Sequence, residues 1–113
     1  MKIIVTATPS LNGIKNGWNR WRIKNKYVKQ LEGYQYQIGV CVNKRHVTLQ
    51  RYGSRVLDLD NYYGGVKPLL DAMKKVGLIK DDREEWLTLW YLPQVKCKRG
   101  EEKTIIEVTN EAY

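Results

Sequence analysis

Two pairs of aspartates flank a lysine within residues 58–82 of this 113-residue chain: Asp58 and Asp60, then Lys67, then Asp81 and Asp82. If the run Val47-Thr48-Leu49-Gln50-Arg51-Tyr52 is a strand that continues this far, its period of two puts Asp58 and Asp60 on one face. Neighbouring ionised carboxylates repel unless a cation lies between them. After a helix-length spacer, the second pair would close the cage. Hard oxygen donors with no accompanying His or Cys select Mg²⁺ or Mn²⁺ over zinc. In a basic protein such a site suits hydrolysis of a phosphodiester. A bound metal lowers the pKa of its water and clamps the attacking and leaving oxygens. A purely structural role competes, with Asp58 and Asp60 capping the helix that follows and Asp81-Asp82 lying in a polar turn.

The charge distribution points to a polyanion. Formal net charge is +8, yet residues 1–55 carry eleven Lys/Arg against Glu32 alone, and residues 56–113 carry nine against eleven acids. A positive field beside an acidic pocket fits a nucleic acid held by one surface and cut at another. Lys15, Arg20, Arg22, Lys24, Lys26 and Lys29 alternate with Trp18, Trp21 and Tyr27. The cations would fix phosphates while the aromatics stack on exposed bases, or the tryptophans serve as core or interface anchors. Lys44, Arg45, Arg51 and Arg55 flank the carboxylate strand and are the expected phosphate contacts near the cut. His46, the only histidine, falls on an expected strand edge and reads as a surface or DNA-contacting residue rather than a base.

These residues must be positioned by a single domain spanning 1–113. Lys2 to Thr8 reads as an opening strand, closed by the turn Pro9-Ser10-Leu11-Asn12-Gly13. Trp18, Trp21, Val28, Leu31 and Ile38 approximate one stripe of a helix running from Gly17 to about Val42, weakened by Gly33 and Gly39. Asn43-Lys44-Arg45 is a turn, and Val47 to Leu57 a strand bent near Gly53. Asn61 is a plausible N-cap, although Gly64-Gly65 would disturb the first turn after it. Val66, Leu69, Leu70, Met73 and Val76 form an amphipathic helix, with Gly77 just past its end. Trp86 to Tyr91 and Thr104 to Val108 are two more strands, with Lys98-Arg99-Gly100-Glu101 turning between them. The order β-α-β-α-β-β predicts an α+β fold built on a small mixed sheet with two helices.

No apolar run approaches the roughly 18 residues of a membrane span, and the N-terminus is not that of a signal peptide. Cys41 and Cys97 have neither zinc-like spacing nor enough company for a disulfide framework. Half-buried cysteines in a reducing compartment are expected, hence a cytoplasmic protein.

The segments Arg55 to Asn61, Lys67 to Met73 and Gly77 to Asp82 together resemble the RusA family of Holliday junction resolvases. The shared pattern is D-x-D-N, a following Lys, an apolar helix with a D-A-L-like step, then Gly and a D-D pair. Val47 to Arg55, the Gly100 to Val108 hairpin and the Pro9 turn are also similar, and the likeness covers roughly residues 45–108. It implies a RusA-like, homodimeric, Mg²⁺-dependent endodeoxyribonuclease of phage or prophage origin that cuts four-way DNA junctions in recombination and repair. It makes Asp58, Asp60 and Asp82 metal ligands and Lys67 a catalytic cation, with secondary roles for Asp81 and Asp71. Three extra residues, including Gly64-Gly65, separate Asn61 from Lys67 relative to the shortest members, and a Gly-Gly loop would arch to return the lysine. A four-way junction needs two cuts related by a two-fold axis, which suits a C2 homodimer. The competing functions are cleavage of other branched or flapped DNA, a non-catalytic branched-DNA-binding module, and a general metal-binding or interaction domain.

Overall fold

The computed structural model describes residues 1–34 and 43–109. Ile38, Gly39, Cys41 and Val42 lie outside the described residues, but the helix expected to run from Gly17 to about Val42 ends at Glu32, capped by Gly33. The fold is α+β, with helices against one face of a mixed sheet. Strands are β1 (Lys2–Val5), β2 (Arg45–Gly53), β3 (Leu87–Tyr91), β4 (Val95–Lys96) and β5 (Lys103–Thr109); helices are α1 (Gly17–Glu32), α2 (Leu59–Gly65) and α3 (Lys67–Lys75), with a 3₁₀ turn at Leu11–Gly13. The sheet order is β1-β5-β2-β3, and β4 continues along β2 beyond β3. β1 and β5 run antiparallel to each other, as do β5 and β2, while β3 and β4 lie parallel to β2. Pro93, which has no N–H to give a ladder, falls between β3 and β4.

β2 alternates strictly along its nine residues, burying Arg45, Val47, Leu49, Arg51 and Gly53 and leaving the residues between them half-exposed. This is the pleat of a strand with one face on a core. Ile3, Val5, Ile106 and Val108 from β1 and β5 join that face. Leu69, Ala72 and Met73 of α3 and Tyr27 and Leu31 of α1 cover it. α3 ends as its sequence demands. Gly77 takes φ +80°, its N–H meets the Lys74 carbonyl at 3.1 Å, and the Leu78 N–H meets that of Met73 at 3.0 Å. That is a Schellman cap, which any residue with a Cβ would strain. No helix among the described residues is long and apolar enough to cross a membrane.

Three expectations are corrected here. Trp18 and Trp21 are not core anchors within the chain: they are 65% and 52% exposed and stack on each other with ring centroids 5.1 Å apart. The buried aromatic of α1 is Tyr27, whose hydroxyl donates to the Thr6 and Ala7 carbonyls, so it cannot stack on a base. β2 is an interior strand, which removes His46 from the sheet edge.

Candidate active site

The chain leaves β2 at Gly53 and enters α2 at the first aspartate pair. Asp58 is the N-cap of α2. Its Oδ1 accepts from the Asn61 N–H at 2.9 Å and its Oδ2 from the Asn61 side-chain amide at 3.0 Å. Asp60 occupies the first turn, where the helix dipole favours an anion. The two carboxylates therefore do not share a strand face. Two helical steps turn a side chain by roughly 200°, so they diverge. Asp58 rather than Asn61 is the cap. Asn61 works as a tie instead, since its side-chain oxygen accepts the Asn12 N–H at 3.2 Å and joins α2 to the N-terminal turn. Both Asn61 hydrogen bonds, backbone first, hold the Asp58 carboxyl below its ordinary value.

Gly64 and Gly65 form no arching loop. They are the last residues of α2, pressed against the turn at 9–13. A Cβ on Gly65 would overlap the Pro9 carbonyl oxygen, and one on Gly64 would come within 2.8 Å of the Leu11 side chain. After Val66 the chain re-enters a helix at Lys67, with Pro68 beside it in the first turn, where a missing N–H costs nothing. Lys67 is exposed and makes no hydrogen bond or ion pair among the described residues.

Lys67 and Asp82 line one cavity of about 410 Å³, together with Tyr63, Gly64, Leu70, Leu87, Leu89 and Tyr91. Asp60 stands one helical turn before Tyr63 and Gly64 on α2. Tyr91 has its phenol pushed up to about 12, first by burial and then by the neighbouring phenols of Tyr62 and Tyr63. It is a neutral O–H at any ordinary pH.

Behind Asp82 lies a charge network that sequence reasoning missed. Lys74 Nζ stands 3.7 Å from Asp82, 4.0 Å from Asp81 and 3.8 Å from Asp71. Asp71 also accepts from Arg20 at 2.8 Å, which ties α1 to α3. The i,i+3 spacing of Asp71 and Lys74 was the available signal. Asp81 is occupied locally: Oδ1 accepts the Asp82 N–H at 2.8 Å and Oδ2 accepts from Arg83 at 2.7 Å. Those bonds lower its pKa, the Asp82 N–H contributing most.

Asp58, Asp60 and Asp82 do not close a cage. Among the described residues no group of three or more His, Cys, Asp or Glu side chains is placed to hold a metal. The donor chemistry still suits Mg²⁺, which is usually held by one or two carboxylates plus substrate phosphates and water rather than an all-protein cage. Asp60 has no partner among the described residues, and Asp82 has only Lys74 within ion-pair reach.

Two expected phosphate contacts are internal. Arg45 is 7% exposed and donates to the Leu78 carbonyl at 3.0 Å. Arg51 is 8% exposed; its Nε donates to the Thr8 carbonyl at 2.7 Å and a terminal nitrogen to that of Arg55 at 3.1 Å. They lie on the inward-facing residues of β2, so they brace the loops around the site and do not meet DNA. Lys44, Arg55, Arg20, Arg22 and Lys26 are exposed, and Lys24 is half-exposed. Compared with known proteins, the chain matches no protein-family model and no curated protein.

Proposed function

We propose that the chain is an endodeoxyribonuclease of the RusA kind, which cuts branched DNA, four-way junctions first among them, by phosphodiester hydrolysis. The observation that carries this reading is the shared cavity of Lys67 and Asp82, with Asp60 one turn away on α2. The distance along the chain between them had no local reason to close.

Asp60 and Asp82 would hold Mg²⁺, or Mn²⁺ in its place, with Asp58 fixing the helix that carries Asp60. The bound ion would supply Lewis-acid stabilisation of the phosphate and a more acidic water. Lys67, exposed and without a partner among the described residues, would meet a non-bridging oxygen and neutralise charge as it develops. Lys74, 3.7 Å from Asp82, would help orient its carboxylate. The basic face of α1 would hold the flanking duplex, and a homodimer would present two such cavities to opposed strands. The work of such an enzyme lies in the cytoplasm of a bacterial host, where a phage or prophage would encode it.

The test is cleavage of a labelled synthetic four-way junction against matched linear duplex, in Mg²⁺ and in EDTA, with Asp60→Asn and Lys67→Ala alongside. Paired nicks in the junction alone are expected, reduced at least about 100-fold by either substitution, with junction binding retained. Tight binding without nicks in Mg²⁺ or Mn²⁺ would leave a non-catalytic branched-DNA-binding module.

A further inference from the structure

Hydrolysis needs the charged rim of the Lys67 cavity but not its interior. That interior is apolar and aromatic. Leu70 and Leu87 are buried beneath it, and Leu89 is half-buried at its side. Tyr63 and Tyr91 form a wall, their rings tilted at 49° with centroids 4.4 Å apart. Tyr91 in turn meets Tyr62 edge-on at 5.3 Å, and Tyr62 is 2% exposed, so the wall is backed by the core. Tyr63 itself remains 43% exposed. An open aromatic ring and a lysine with no ion-pair partner among the described residues thus share one lining. The volume, about 410 Å³, falls within the roughly 300–1,000 Å³ of small-ligand pockets.

We infer that this cavity is a nucleobase pocket: it takes one unstacked base of the bound strand against the Tyr63 ring while that nucleotide's phosphate rests at Lys67. The choice of DNA as ligand rests on the nuclease reading. The chemistry of the pocket does not, because every nucleotide has a base whose π-face stacks on an aromatic ring and a phosphate that pairs with a lysine. An unpaired base is available at a branch point and not within a duplex, so the pocket would favour branched over linear substrate. It would do so before any bond is broken.

The experiment is an NMR titration of methyl-labelled full-length protein, without metal. The probes are the 2′-deoxynucleoside 5′-monophosphates and, as the base-free control, 2-deoxyribose 5-phosphate. Saturable shifts of the Leu87 and Leu89 methyls are expected with the nucleotides and not with the sugar phosphate. Tyr63→Ala should weaken nucleotide binding about 5- to 150-fold, and Tyr63→Phe should retain it. Tyr63→Phe keeps the ring against Tyr91, so it separates loss of the base contact from any disturbance of the wall. Equal responses to nucleotide and sugar phosphate, or leucine methyls that stay still up to the solubility limit, would overturn the pocket. Base-dependent binding in a protein that never nicks a junction would uphold the pocket and sink the nuclease. Nicking with no base response would do the reverse.

Discussion

At the scale of single residues, Asp58 holds a cap that responds to pH. Its carboxylate caps α2 through the Asn61 N–H and side-chain amide. Its folded pKa lies below the ordinary value of 3.8 for that reason. A depressed carboxylate stabilises the fold above its unfolded pKa and loses that contribution as pH falls through the folded one. Asp81 has the same sign, held down by the Asp82 N–H and by Arg83. Thermal stability should therefore fall as the solution is acidified below the ordinary aspartate range. Asp58→Asn keeps a capping side chain but cannot ionise. Its melting temperature should sit below wild type at neutral pH, and the gap should close in acid as the native carboxyl protonates. A gap that persists unchanged into acid would mean that the charge of Asp58 contributes nothing to the cap.

Elements divide into those the sequence announces and those it conceals. The body and end of α3 were legible, because its apolar spacing and Gly77 both describe one amphipathic helix with a left-handed cap; its start was not, since it falls at Lys67 and not after Asn61. β2 and β5 were legible from β-branched runs. α2 was not, because Asp58-Leu59-Asp60 satisfies a strand period as well as a helix start, and only the folded-back Asn61 decides between them. Arg45 and Arg51 were misread for a similar reason: a cation in a basic half looks like surface until the pleat turns it inward. The Gly64-Gly65 step looked like slack but is a contact surface for the turn at 9–13. This predicts opposite effects for one kind of substitution. Gly65→Ala must push α2 off the Pro9 carbonyl, with a loss of about 1–3 kcal/mol. Gly17→Ala, in the first turn of α1 with nothing within 4 Å of the new methyl, should gain about 0.4–1 kcal/mol. Urea unfolding of the two variants measures both. If Gly65→Ala matches Gly17→Ala, α2 does not dock as described, and Lys67 loses its route to the cavity.

Over the whole molecule, the proposed function raises the question of which side would meet DNA. The basic excess belongs to residues 1–55, but the burial of Arg45 and Arg51 removes two of its members from any outer surface. What remains is concentrated on α1, where Arg20, Arg22, Lys24, Lys26 and Lys29 face a single acid, Glu32. α1 packs beside α3, which begins at Lys67, and Arg20 reaches Asp71 across that seam. The helical layer thus joins the cationic helix to the candidate cavity. The other side of the sheet presents Lys2 and Ile4 from β1, with Lys2 opposite Glu107 on β5. Each phosphate neutralised by a lysine or arginine releases counterions, so log K falls against log salt with a slope near −0.9 per contact on duplex DNA. Arg22→Gln and Lys26→Gln together should lower that slope by about 2 for a duplex arm, and weaken binding to all sequences alike. Lys2→Gln should leave the slope where it was. Fluorescence anisotropy of a labelled junction across a salt series reads all three proteins. A slope that drops for Lys2→Gln and holds for the α1 pair would turn the molecule over, with DNA on the open sheet and the Lys67 cavity facing away from it. Because Lys2 and the α1 pair act through the same counterion physics, only their position can separate them.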